Sequence, residues 1–185
     1  MNDQKNKIMK LSLTPLLFLL FINSSYAQSY TFSSPDKNIL VTCNVSNAVY
    51  TIFYKGQSIL KESKLGVIRD DEDFSKGLQV IKAPTAARVN DNYTLLTAKK
   101  KNISYVATRT IIETQTPTGK KMNIIFQVSN DGVAFQYEFP EQSNDIKKIN
   151  AEVTSFHFYD GTRAWLQPKT EAQSGWEHSN PSYEA

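Results

Sequence analysis

Cysteine is almost missing: Cys43 is the one cysteine in 185 residues. A lone cysteine excludes a disulfide framework, so a hydrophobic core must hold the fold together. Cys43 sits in the alternating stretch "ILVTCNV" (39–45) and reads as a small buried apolar residue rather than a reactive thiol. Histidine is scarce too, and His157 and His178 lack the spacing of metal ligands. The sequence contains no Gly-x-Ser-x-Gly elbow, no Cys–His pair in a plausible context and no glycine-rich phosphate loop. A self-contained active site is therefore not visible. Charge of one sign is also lacking, with a net of +3. Lys99-Lys100-Lys101 is the one basic run, and a solvated turn explains it better than a nucleic-acid surface does. Helical periodicity is absent from every window of ten or more residues after residue 27.

The N-terminus has what the rest lacks, a long apolar run. Lys5, Lys7 and Lys10 precede Leu11–Ile22, and Ser25-Tyr26-Ala27 offers a small-residue cleavage site before Gln28. That layout predicts a secretory signal peptide over residues 1–27, with Met9 as a second, more compact start. The run is shorter than the roughly 20 residues a membrane span needs. No cysteine follows it directly, which argues against a lipid anchor. Export to the periplasm or the exterior is the expectation. Removing 27 of 185 residues leaves 158, enough for one domain with a real core. The leader carries three lysines and one aspartate, so the mature chain falls from +3 to about +1.

What remains reads as short strands and turns. "ILVTCNV" (39–45) and "AVYTIFY" (48–54) are β-branched and aromatic, and turn residues flank them at Pro35–Asn38 and Lys55-Gly56-Gln57. "SILKESKLGVI" (58–68) is expected as a further strand before the acidic loop "RDDEDFSKG". Another is expected near "GLQVIKA", before a link containing Pro84. "NISYVATRTIIETQ" (102–115) is a long extended stretch closed by the turn "TPTGKK". The sharpest signal is "MNIIFQV" and "VAFQYEF" around Ser129-Asn130-Asp131-Gly132: Val133, Phe135, Tyr137 and Phe139 alternate with polar or small residues. Period two around such a turn predicts a hairpin. "AEVTSFHFYDG" (151–161) and "RAWLQP" (163–168) extend the pattern. Many short strands at regular spacing predict an all-β fold, an antiparallel sandwich or barrel.

Candidate chemistry is confined to two places. Asp70, Asp71, Glu72 and Asp73 form an acidic cluster without the alternating ligand spacing of a calcium-binding loop, and a polar connection explains them better. The tail gathers Trp165, Gln167, Trp176, Glu177, His178, Asn180, Tyr183 and Glu184 within twenty residues. Flat aromatics stack on sugar rings, while amides and carboxylates bond hydroxyls, so Trp176, Glu177 and Asn180 are candidate carbohydrate contacts. The alternative is that both tryptophans cover an edge of the sandwich.

"SSPDKNILVTCNV", "SKLGVI", "FQVSNDGVAFQYEFPEQ" and "AWLQPKTEAQSGWEHSNPSYE" follow one another as in the N-terminal domain of glycoside hydrolase family 97, which the chain resembles from about Tyr30 to Ala185. "NDGVAFQYEFPE" is the most specific piece. The resemblance implies a large antiparallel β-sandwich of the galactose-mutarotase-like, super-sandwich type. It implies an exported α-glycosidase as parent, an α-galactosidase or α-glucosidase acting on an oligosaccharide or α-glycoside. The family's catalytic barrel, with all its catalytic carboxylates, does not align to any residue here. Residues 28–185 would thus be the N-terminal domain, incomplete at its C-terminal end, and the chain alone no enzyme. "VNDNYTLLTAKKKNISYVATR", "WLQP" and "SGWE" look closer to the α-galactosidase-like branch. The resemblance also implies calcium at the barrel's sugar site, with one N-terminal-domain glutamate as ligand; the position matching it is Glu184, and Glu177 is its competitor.

Overall fold

The computed structural model describes residues 28–97 and 99–165. Among them there are eleven strands and no helix. Strands β1 (Ser29–Ser33), β2 (Ile39–Asn44), β3 (Val49–Tyr54) and β4 (Gln57–Lys64) form an antiparallel meander, each beside its neighbour in sequence. β5 (Val67–Arg69) follows β4 after a break. A second antiparallel sheet is built on β8 (Asn102–Gln115), with β9 (Lys121–Ser129) and β10 (Val133–Glu138) on one side. Along its other edge run β6 (Gln79–Val80) and then β7 (Thr85–Thr94). β11 (Ile149–Glu152) pairs with β5 in a separate two-stranded antiparallel sheet.

Alternation decides which faces meet. In β2, Ile39, Val41 and Cys43 point inward while Leu40, Thr42 and Asn44 are half exposed. In β9, Met122, Ile124, Phe126 and Val128 are buried on the facing surface. Burying each such side chain contributes about 1.5–3 kcal/mol. Aromatic rings span the two layers: Phe126 lies 4.9 Å from Phe32 and 6.0 Å from Tyr50, and Phe135 lies 5.5 Å from Tyr50. The expected antiparallel sandwich is thus present.

The segment after β11 keeps the line of that strand. The Val153 amide donates to the Gly66 carbonyl (3.0 Å), Ser155 to Lys64 (3.1 Å), and Lys61 back to His157 (2.9 Å). Residues 149–158 therefore lie along β5 and then β4, as an outer rib beside the first sheet. Two tyrosines fasten this rib to the core. The Tyr50 hydroxyl donates to the Ser155 carbonyl at 3.2 Å, and the Tyr137 hydroxyl pairs with that of Thr154 at 2.7 Å.

Three expectations need adjusting. "SILKESKLGVI" is two strands, because Gly66 takes φ +111° where the backbone of Phe74 and Ser75 crosses it. A Cβ at Gly66 would lie 2.7 Å from Ser75 Cα and nearer still to the Phe74 carbonyl oxygen, so no other residue fits. The strand near "GLQVIKA" shrinks to Gln79–Val80. β7, by contrast, has no counterpart in the sequence reading: Asn90-Asp91-Asn92 looks like turn chemistry, yet it pairs residue for residue with β8. The hairpins fall where expected, at Lys55-Gly56, at Thr116–Lys120 and at Asn130–Gly132. Gly119 meets its turn with φ +87°.

Candidate functional site

A cleft of about 1190 Å³ opens at one end of the sandwich. Three pieces of chain converge on it: the β3–β4 hairpin, the β9–β10 loop, and the stretch from Phe156 to Thr162. Its wall is apolar and aromatic, from Tyr54, Ile59, Phe156, Phe158 and Tyr159, which the fold leaves 42–59% exposed. Apolar groups so exposed and so close together are unusual on a lone soluble surface. Its rim is polar, with Gln57, Asn130, Asp131 and Thr162. The rim is braced: Asn130 Oδ1 accepts the Asp36 amide at 3.1 Å, and Asp131 accepts the Ser129 hydroxyl at 2.6 Å. The Lys61 ammonium lies 4.7 Å over the Tyr159 ring, which orients that ring by cation–π attraction. Such a surface can stack on a sugar ring or receive an apolar polypeptide face.

Several carboxylates elsewhere hold loops in place. Arg69 is buried between the rings of Phe74 and Phe139, at 5.0 and 4.7 Å, and grips Asp71 through two bonds of 2.8 and 2.9 Å. Those bonds, aided by Lys147 at 3.2 Å, hold the Asp71 carboxyl down at about 2. Asp73 is lowered chiefly by the Ser75 hydroxyl, and Asp36 chiefly by that of Ser34. Glu72 receives the Thr118 hydroxyl and ties the acidic loop to the β8–β9 turn. The three shifted carboxylates are held ionised, the opposite of what a general acid requires. The polar-connection reading of Asp70–Asp73 fits these contacts. Burial pushes the Cys43 thiol up to about 12, as suits a packing residue.

The carbohydrate candidates Trp176, Glu177 and Asn180, and the metal candidate Glu184, lie outside the described residues, as do positions 1–27. Trp165 is described and is fully exposed, so it does not cover the sandwich edge. Among the described residues, no three His, Cys, Asp or Glu side chains converge as metal ligands. No helix among them is long and apolar enough to cross a membrane. Sequence reading passed over Tyr54, Phe156, Phe158 and Tyr159 as site residues. Their signal was present in "IFYKGQ" and "FHFYD", where alternating aromatics imply two sides, only one of which can be the core.

Comparison with known proteins gives this geometry a setting. The chain is 24% identical over 160 residues to a probable retaining α-galactosidase of Streptomyces bingchenggensis (strain BCW-1), covering 82% of this chain and 25% of that protein. It superposes on the crystal structure of a β-arabinopyranosidase with a TM-score of 0.73 and 29% identity, over 84% of this chain and 25% of the other. A glycoside hydrolase family 97 enzyme from Pseudoalteromonas sp. strain K8, solved in complex with panose, shares the fold at TM-score 0.64 and 22% identity, over 71% and 20% of the two chains. This chain thus spans about a quarter of the length of the relatives it matches. The family profile described as glycosyl-hydrolase 97 N-terminal matches residues 32–185, which takes in both walls of the sandwich and the cleft. On that match the chain belongs to the glycosyl-hydrolase 97 N-terminal family.

Proposed function

We propose that this chain is the N-terminal accessory unit of an exported α-glycosidase, acting on an α-galactoside or α-glucoside. In this reading it packs on a catalytic barrel supplied by the longer polypeptide and helps complete that barrel's sugar and calcium site. The observation that carries the proposal is the family match combined with the quarter-length span of the relatives. The aromatic cleft supports it, since a unit that docks on a larger body needs an uncovered apolar face at the contact. Glu184 is the proposed metal contribution: calcium takes six to eight oxygens, so one carboxylate from this chain would join several from the barrel. Trp176, Glu177 and Asn180 are the proposed sugar contacts beside it. Gln28 supports export with cleavage after Ala27, because its carbonyl accepts the Val45 amide at 3.0 Å and so seats the mature end in the sheet.

The test compares the chain over 28–185 with the longer polypeptide on aryl α-galactosides and α-glucosides. The short chain should show no turnover, and the long one should hydrolyse at least one of the two. Turnover by the short chain, or none by the long one on any α-glycoside, would sink the reading. Titration calorimetry should find no specific calcium binding to the short chain. In the long one, Glu184→Gln should weaken the dependence of activity on calcium; loss with Glu177→Gln instead would move the ligand there.

A second reading has its own observation. The cleft joins aromatic faces to a braced amide and carboxylate, which suits a free-standing carbohydrate-binding sandwich. Glycan binding by the short chain that is lost in Tyr159→Ala would favour it.

A further inference from the structure

Among the described residues, β10 is an edge strand: it bonds to β9, and its outward row of backbone groups has no partner there. The Ser129 amide donates to the Gly132 carbonyl at 2.9 Å, and the register pairs Ala134 with Gln127 and Gln136 with Ile125. Bonded positions alternate in an antiparallel pair, so residues 134, 136 and 138 face β9. The amides and carbonyls of Val133, Phe135 and Tyr137 consequently point away from the sheet. An open row of this kind is a template for another strand.

Exposed edges are normally blunted by lysine, proline or a bulge. β10 has none of these; its sequence is VAFQYE, and its register with β9 runs without a shift. Beside the edge lies a second cleft, of about 550 Å³, between Val133–Phe135 on one side and Glu152, Thr154 and Phe156 on the other. Its far wall is the outer rib beside the first sheet. Both sheets therefore stop on the same side of the sandwich, and the core shows through between them: Phe135 and Phe156 stand 6.2 Å apart, and Phe156 is 59% exposed. A strand laid on β10 would sit about 4.8 Å from it and set alternate side chains over these two rings.

We infer that β10 is paired, in the longer polypeptide, by a strand from beyond residue 185, whose apolar face covers Phe135 and Phe156. The inference rests on the reading of this chain as the N-terminal quarter of its relatives' length. The chain's own last twenty residues are poor material for the strand, since they hold Pro168, Gly175 and Pro181 and no run of period two. The geometry is that of strand addition, in which main-chain bonds give affinity and alternate side chains fill the gap.

Amide exchange, read residue by residue, tests this. In the chain alone, the amides of Val133, Phe135 and Tyr137 should exchange about 100-fold faster than those of Ala134 and Gln136. In the longer polypeptide all five should be protected alike. Slow exchange of the outward three in the monomeric chain, or fast exchange in the longer one, overturns the inference. Protection that fades on dilution would identify a second copy as the occupant, and protection lost on deleting 166–185 would identify the chain's own tail; either result also overturns it. Val133→Pro removes an outward amide and should lower the melting temperature of the longer polypeptide far more than that of the short chain. Ala134→Pro, which breaks the bond to β9, should lower both; equal effects of the two substitutions in both chains would count against an edge role. Absence of glycosidase activity in the longer polypeptide would refute the functional reading and leave the exchange result standing.

Discussion

The Tyr137 hydroxyl accepts the Gly66 amide at 2.7 Å. A strand of the second sheet is thereby bonded to the break between β4 and β5. Gly66 is buried, and among the described residues the Tyr137 hydroxyl is the partner of its amide. Tyr137→Phe keeps the ring beside Phe135 but leaves this donor unsatisfied, which should cost about 1–3 kcal/mol. Equilibrium urea unfolding measures it. A variant as stable as the parent would mean the bond is not made in solution.

Gly66→Ala should be more damaging. The new Cβ would meet the backbone of Phe74 and Ser75, at a φ that L-residues avoid. The combined strain and displacement should cost about 3 kcal/mol or more. Gly56→Ala is the control, because φ is also positive there but the space is open, and a cost of about 1 kcal/mol is expected. Equal losses at the two glycines would show that crowding at Gly66 is relieved elsewhere.

Acid should loosen the Arg69 clamp. Asp71 is held down at about 2 by the Arg69 bonds, while an unfolded aspartate titrates near about 3.9. A depressed carboxyl contributes stability that is full above the unfolded value and fades as pH falls toward the folded one. Asp73 and Asp36, also lowered, act in the same direction. Urea midpoints should therefore fall between about pH 4 and pH 2, and Asp71→Asn should flatten part of that slope. An unchanged slope in the variant would remove Asp71 from the acid response.

Cys43 should behave as core. It is fully buried and its thiol is raised to about 12 by burial, so little thiolate forms near neutrality. A thiol reagent should label it only as fast as the protein unfolds. Rapid labelling of the folded chain would contradict the packing seen around it.

How much of this was legible depends on where side chains find their partners. β2, β3, β8 and the β9–β10 hairpin were plain, because each buries one face and the pattern of period two survives in sequence. β7 was invisible because nearly all of it is exposed: only Val89 is even half buried, and pairing with β8 rather than burial holds it extended. The break at Gly66 could not be foreseen, since its cause is a crossing by Phe74 and Ser75 from another part of the chain. The aromatic cleft was half legible. Its residues stood in alternating runs, but which side was core depended on a second sheet that no local window contains.

The outer rib bears on the order in which the molecule assembles. Strands β1 to β4 pair with one another in sequence order, so that meander closes short loops and can form early. The rib is different: the His157 amide reaches the Ser63 hydroxyl across 94 residues, and the Lys64 amide reaches the Ser155 hydroxyl across 91. Those links must wait until the whole intervening chain has emerged and the second sheet has formed. During synthesis the outer edge of β4 therefore waits for residues 155–157 before it gains its partners, and a chaperone could shield it in that interval. Pulse-labelled exchange during refolding should accordingly protect the Lys61 and Lys64 amides after those of β2 and β3.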